Sequence, residues 1–288
     1  MASNRAESGG PASPRAVPRG HPDYPDGLSD LGDAPETVYV RGRVPARGAA
    51  VAIVGARAAT AYGESIAGRL AHDLAALGYA VVSGLARGID AAAHRAALEG
   101  GGTTVAVLPG GLDAITPRHH AALAEAIAAR GALLSEWPGG PPAARGMFVR
   151  RNRLIAALAS AVVVVEAGET SGALSTAAAA RRLGRPLLAV PGDVDRPGSQ
   201  GCLALLRAGA RLCAGAGDVL AALPEAARPA DARLLNALGA APSSAEEIAA
   251  RAELPLGQAL ATLLRLEWAG AAASCPGGRW RRAAGATS

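Results

Sequence analysis

The chain has 288 residues, 50% hydrophobic and 18% charged, with mean hydropathy +0.20, so it can bury a core and is too apolar for global disorder. It contains no lysine: all 29 basic residues are arginines and the net charge is +5, which excludes a Walker A loop and a Schiff-base lysine and is compatible with an acidic partner. Three cysteines without C-x-x-C spacing argue against a disulfide framework or a zinc site. The longest apolar stretch, 154–165, is too short to span a bilayer, and no apolar segment of a secretory signal follows Met1, so no membrane association and a cytoplasmic location are expected.

In chain order, residues 1–22 are Pro, Gly, Ser and Arg without periodicity and read as a disordered tail, followed by an extended lead-in from Tyr24 to Gly42. From Val51 onward, β-branched runs at 51–54, 80–82, 104–108, 132–134, 162–165 and 187–190, with 211–213 as a further short strand, alternate with helical patterns at 63–77, 90–98, 118–129, 152–158, 171–183 and 202–207. This alternation predicts an α/β fold for a domain at 23–223: a doubly wound, mainly parallel sheet covered on both faces, which explains why the strands lack inside–outside alternation. A Pro-containing linker at 224–229 then leads to helical patterns at 231–238, 243–251 and 256–268 and to a turn, Pro276-Gly277-Gly278, between strand-like runs at 271–275 and 279–282. Ser243 with Glu246, or Ser244 with Glu247, fits a capping box. Three helices followed by a hairpin is the order of a winged helix, so 230–288 is expected to be a small C-terminal winged-helix domain.

In an open parallel sheet, ligands bind beyond the carboxyl ends of the strands. Here those ends carry Gly55-Ala56-Arg57 with Thr60 and Gly63, Ser83-Gly84-Leu85-Ala86-Arg87-Gly88, Gly110-Gly111, Glu166 with Ser171-Gly172, and Pro191-Gly192. Glycines let backbone N–H groups approach an anion, helix N-termini add partial positive charge, and arginine adds forked phosphate contacts, so the set suggests a phosphate-binding rim. The dinucleotide fingerprint G-x-G-x-x-G is not present after the first strand, which argues against NAD or FAD, and no cofactor is expected. A second cluster is Phe148-Val149-Arg150-Arg151-Asn152-Arg153. Phe148, the single Phe, is either a core residue or, beside three arginines, a platform for stacked bases of a single strand. No motif of a hydrolase or metalloenzyme is present. Asp90 and His94, one helical turn apart, could share a local hydrogen bond, and Glu166 could be a general base, a cap for the helix at Ser171, or the partner of an arginine.

Taken together these stretches resemble the DNA-processing protein A (DprA/Smf) family. The resemblance is carried by Tyr24-Pro25, Val54-Gly55-Ala56-Arg57, Tyr62-Gly63, Ser83-Gly84-Leu85-Ala86-Arg87-Gly88-Ile89-Asp90 with His94, Gly111-Leu112-Asp113, Ser135-Glu136, Phe148 with Arg151-Asn152-Arg153, Glu166, Ser171-Gly172, Pro191-Gly192 and Gly201-Cys202, across about residues 24–222. It implies a Rossmann-like domain that binds single-stranded DNA, protects incoming DNA in natural transformation and loads the RecA recombinase. It also implies a homodimer with no catalytic activity. Arg57 and Phe148 would hold bases. The implied DNA contacts comprise Arg57, Thr60, Gly63, Ser83, Gly84, Arg87, Gly88, Gly110, Gly111, Phe148, Arg151, Asn152, Arg153, Ser171 and Gly172. The chain departs from the family pattern at Thr116-Pro117, where Tyr-Pro is usual, at Val149, where Pro is usual, and at Leu203, where Asn is usual. The helical N-terminal domain of many members is not recognisable.

Two alternatives belong to other classes. One is an enzyme resembling nucleotide phosphoribohydrolases, whose Pro-Gly-Gly-x-Gly-Thr hallmark is only half matched by Pro109-Gly110-Gly111-Leu112-Asp113-Ala114. The other is a transcriptional regulator that binds duplex DNA through the winged helix.

Overall fold

The β-branched runs after residue 50 pair as the predicted parallel sheet, and the chain passes from one face to the other through helices. In the computed structural model, residues 13–45, 50–140, 143–223, 229–268 and 270–283 are described, and the chain divides into two units, residues 1–223 and 224–288. The first unit contains β1 (Arg15–Pro18), β2 (Thr37–Gly42), β3 (Ala50–Val54), α1 (Ala61–Ala76), β4 (Ala80–Ser83), α2 (Ile89–Glu99), β5 (Thr104–Val107), α3 (Ala121–Arg130) and β6 (Ala132–Ser135). It continues with α4 (Arg145–Leu158), β7 (Ala161–Val164), α5 (Ala173–Arg182), β8 (Leu187–Ala189), α6 (Gln200–Arg207), β9 (Arg211–Leu212) and α7 (Ala216–Ala222).

Among the described residues these strands form one sheet of order β1-β2-β6-β5-β4-β3-β7-β8-β9. The run from β6 to β9 is parallel throughout, and β2 and β1 join antiparallel at one side. The chain builds outward from β3 to β6, then returns to lay β7, β8 and β9 on the other side of β3. The order therefore reverses between β3 and β7, and every residue of those two strands is buried. The fold is the doubly wound α/β architecture that the strand and helix alternation predicts.

Two expectations for the N-terminal stretch are corrected. Residues 15–18 are a strand rather than part of a disordered tail: Val17 is fully buried and Arg15 to Pro18 pair with Val40 to Thr37. A proline is tolerated there because an edge strand leaves one side of its ladder unpaired, so the Pro-rich composition concealed the strand. The lead-in is not simply extended either. It contains a 3-10 turn, Asp26–Asp30, with Leu28 in the core and Gly27 so close to the Ala157 carbonyl of α4 that a Cβ would collide with it. Helix α4 begins at Arg145, well ahead of the expected 152, so that the Phe148–Arg153 cluster lies within the helix; arginine itself is a good helix former.

The second unit is a winged helix: α8 (Pro229–Ala237), β10 (Ser243–Ser244), α9 (Ala245–Ala252), α10 (Leu256–Trp268), β11 (Ala272–Cys275) and β12 (Arg279–Arg282). Its sheet has the order β10-β12-β11. Ser244 and Glu247 form the capping box: the Glu247 N–H donates to the Ser244 hydroxyl at 3.2 Å and the Ser244 N–H to the Glu247 carboxylate at 3.0 Å. Leu234, Ile248, Leu263 and Trp280 fill the core of this unit. No described helix in either unit is long and apolar enough to cross a membrane.

Candidate nucleic-acid interface

A cavity of about 770 Å³ opens beyond the carboxyl ends of β3 and β7, where the strand order reverses. That is where open α/β sheets take their ligands, because neighbouring loops diverge to opposite faces and leave a crevice. Four segments wall it: Gly55, Ala56, Arg57 and Ala58 after β3; Ala86 after β4 with Asp90 in the first turn of α2; Phe148, Arg151, Asn152 and Ile155 on α4; and Gly168 with Thr170, Ser171 and Gly172 leading into α5.

The α4 residues share one face because they recur at three-, four- and seven-residue intervals. Phe148 is half-buried at the mouth, and the exposed Arg57 places its guanidinium carbon 4.6 Å from the centre of the Phe148 ring. This cation–π contact puts a flat aromatic face and a forked cation at one opening.

Arg151 has a different place from the one expected of a phosphate ligand. It is 4% exposed, and its guanidinium donates to the carbonyls of Gly84 (2.8 Å) and Val107 and to the Asn152 side chain (3.2 Å). Burial pulls it down to about 10, against the pull of Asp90, which leaves it cationic at neutral pH. Asp90 accepts from the backbone N–H of Gly84 (3.1 Å) and Ala86 (3.4 Å). Burial pushes its carboxyl up, while Arg151 and the two N–H donors favour the ionised form. Arg151 therefore braces the loop after β4 from beneath and is a positioning residue.

Arg153 is turned away from the cavity. Its side chain, 11% exposed, pairs with Asp33 at 2.8 Å and Glu136 at 2.6 Å and fastens α4 to the N-terminal stretch. Asn152 donates to the Gly172 carbonyl (3.1 Å) and the Ser175 hydroxyl (2.7 Å), which ties α4 to the start of α5. The Ser171 hydroxyl accepts from the Ala173 N–H at 3.3 Å.

The loop after β4 is rigidly specified. The Ser83 hydroxyl is buried and donates to the Ile53 carbonyl at 2.6 Å. Gly84 lies against the Arg151 guanidinium, where no side chain fits. Leu85 is buried at φ 58, with His120 Nδ1 2.9 Å from its carbonyl, and Gly88 takes φ 69 against the Ala56 carbonyl. Only Arg87 of this loop is exposed, at its tip. Gly110 and Gly111 are buried away from the cavity wall; the Gly110 carbonyl accepts from Ser135 at 2.6 Å.

Thr60 and Gly63 belong to the start of α1. Glu166 accepts from the Thr60 N–H (3.1 Å) and hydroxyl (2.8 Å), and Thr60 in turn caps α1 by accepting from the Gly63 N–H at 3.0 Å. Gly63 is required because a Cβ would strike the Glu166 carboxylate. Glu166 thus secures α1 rather than capping the helix at Ser171, and among the described ion pairs it is joined to no arginine. Asp90 and His94 do not bond to each other. His94 Nδ1 sits 2.7 Å from the Thr104 hydroxyl, and burial, aided by the nearby Arg151 charge, pulls the imidazole down to about 3.

Of the fifteen candidate residues, Arg57, Phe148, Arg151, Asn152, Ser171 and Gly172 line the cavity. Sequence reasoning missed Thr170, Thr176 and Ile155 on its wall; Ile155 was recoverable from its seven-residue spacing after Phe148. If Phe148 is the platform for stacked bases that its arginine neighbours suggest, Phe148→Ala should weaken single-strand binding by about 1–3 kcal/mol, the scale of one stacked base. The melting temperature should move little, since the ring is only half-buried. Titration beside a thermal melt checks this, and a destabilised variant with unchanged affinity per folded molecule would make Phe148 a core residue.

Residues 15–224 match the family model described as DNA recombination-mediator protein A, and residues 218–278 match the DprA winged helix domain. A putative DNA processing protein DprA of Mycobacterium tuberculosis is 48% identical over 249 residues, covering 81% of this chain but 64% of that protein, so the chain spans less than two thirds of that relative's length. Protein Smf of Escherichia coli is 38% identical over 291 residues, 93% of this chain and 78% of its own. Among solved structures, DprA from Streptococcus pneumoniae superposes with a TM-score of 0.68 at 36% identity over 73% of this chain and 74% of its own. DprA from Helicobacter pylori, described for its single-stranded DNA binding mode, gives 0.63 at 28% identity over 72% of this chain and 94% of its own.

Proposed function

This chain belongs to the DNA recombination-mediator protein A family, and from that premise we propose that it binds single-stranded DNA at the carboxyl rim of its α/β sheet. It acts there as a recombination mediator, as a cytoplasmic homodimer that shields incoming strands and delivers them to a RecA recombinase. The observation that carries the reading is the Arg57 guanidinium over Phe148 at the mouth of the cavity at the strand-order reversal. An unpaired base exposes a π-face that can stack on such a pair, whereas a duplex hides its faces between neighbouring bases. The loop amides after β3 and at the start of α5 supply phosphate donors beside it. The relative from Helicobacter pylori supports the choice of ligand.

Arg57, Phe148, Ser171 and Gly172 are the direct contacts in this reading, and Arg87 reaches the strand from the loop tip. Ser83, Gly84, Gly88, Arg151 and Asn152 hold the loops that present them. Thr60 and Gly63 fix α1, while Gly110, Gly111 and Arg153 serve the scaffold.

Binding of one fluorescent oligonucleotide, single-stranded and then annealed, tests the proposal. The single strand should bind more tightly, and affinity should fall steeply with salt as phosphate counterions are released. Equal affinity for both forms refutes it. Removing residues 224–288 should leave single-strand binding in place; a truncation that folds but binds no DNA would favour duplex reading by the winged helix.

Arg57→Lys sharpens the test. It keeps the charge, and with it the long-range attraction, but an ammonium lacks the planar fork that stacks on Phe148 and grips a base. Dissociation should therefore accelerate more than association slows. A parent-like dissociation rate would reduce Arg57 to a contributor of positive field.

A further inference from the structure

A second cavity, of about 610 Å³, opens beyond the carboxyl ends of β7 and β8, lined by Tyr62, Glu166, Asp193 and Arg196 among others. It adjoins the Arg57–Phe148 cavity: Thr60, on its wall, lies two residues beyond Ala58 on the wall of the first. Its chemistry is different. Tyr62, in the first turn of α1, is 55% exposed, an unusual position for a large ring in a chain with 3% aromatic residues. Two carboxylates face the space. Arg196, the cation among the described lining residues, has its Nε 3.4 Å from Asp193 and is thereby offset. Such a wall repels a phosphate, whereas an aromatic ring beside hydrogen-bond acceptors suits a nucleobase.

The acceptors also discriminate between bases. Cytosine and adenine present an exocyclic amino group that donates to a carboxylate, where thymine presents the O4 carbonyl. We infer that this second cavity receives the base of a neighbouring nucleotide on the strand held at Arg57 and Phe148. The base stacks on Tyr62 and donates its amino group to Asp193, so the site favours amino-bearing bases over thymine. The inference rests on the single-strand reading and adds to it a base preference and a second stacking residue. Glu166 keeps one oxygen on Thr60 and shapes the wall between the two cavities.

The test uses the full chain with oligo-dC and oligo-dT of equal length at neutral pH, followed by fluorescence anisotropy, with melting temperatures of all variants. The parent should bind oligo-dC several-fold more tightly than oligo-dT. Tyr62→Ala should weaken both by about ten-fold, in the lower part of the range for one stacked base, and Tyr62→Phe should restore binding. Asp193→Ala made together with Arg196→Ala, which removes both members of the ion pair and leaves the local charge balance unchanged, should leave oligo-dT unchanged and bring oligo-dC down to it. Equal parent affinity for the two oligomers overturns the base preference. A Tyr62→Ala protein that melts and binds like the parent overturns the subsite, and if Phe148→Ala is weakened in the same assay, the single-strand reading survives that failure. A parent that binds neither oligomer overturns both.

Discussion

Arg151→Ala should lower folding stability by about 3–5 kcal/mol, the usual cost of removing one partner from a buried charged cluster. The arginine satisfies the Gly84 and Val107 carbonyls and the Asn152 side chain, and without it the buried Asp90 loses the cation beneath the cavity. At roughly 2–4 °C per kcal/mol for a unit of this size, the melting temperature should fall by about 6–20 °C. Arg57→Ala, on an exposed side chain, should lose binding with little change in melting. Differential scanning calorimetry of both variants decides between the roles. An Arg151→Ala protein that melts like the parent yet binds DNA poorly would make Arg151 a direct ligand.

Acid should destabilise the same region through His94. Burial holds its imidazole at about 3 in the folded state, against about 6.5 in the unfolded chain. Below that upper value the unfolded chain takes up a proton that the folded chain refuses, so the neutral ring's contribution is complete above about pH 6.5 and is lost as pH falls toward 3. The slope is about 1.4 kcal/mol per pH unit, or about 2 kcal/mol between pH 6.5 and pH 5. Urea unfolding at neutral pH and at pH 5 should therefore show a smaller loss for His94→Gln than for the parent. The pH-dependent difference is the readout, since the substitution also shifts the baseline. Identical pH dependence in the two proteins would mean that His94 is protonated in the folded state.

The sheet and its rim were legible because period and composition carry them: buried parallel strands are β-branched runs, and strand ends are marked by glycine. The division of labour within Arg151-Asn152-Arg153 was not legible. It depends on helical phase, and with α4 started at 152 instead of Arg145 the phase relative to Phe148 is lost. It depends equally on partners remote in sequence, since Asp33 is 120 residues from Arg153. The loop glycines were legible as glycines but not as scaffold: Gly63 and Gly84 accommodate a carboxylate and a guanidinium that only the folded chain brings against them. The strand at 15–18 was hidden because edge pairing needs few hydrophobic residues, and here Val17 alone is buried.

Both margins of the sheet are blunt. On one side lies β1, four residues ending in Pro18; on the other lies β9, two exposed residues beginning with Arg211. Short margins carrying proline or charge are poor templates for another chain's backbone. Copies of this protein are thus discouraged from continuing one another's sheets, which protects a concentrated solution against fibre-like aggregation. The homodimer proposed above would then rest on side chains of helices and loops, where point substitutions could dissociate it without touching a backbone ladder.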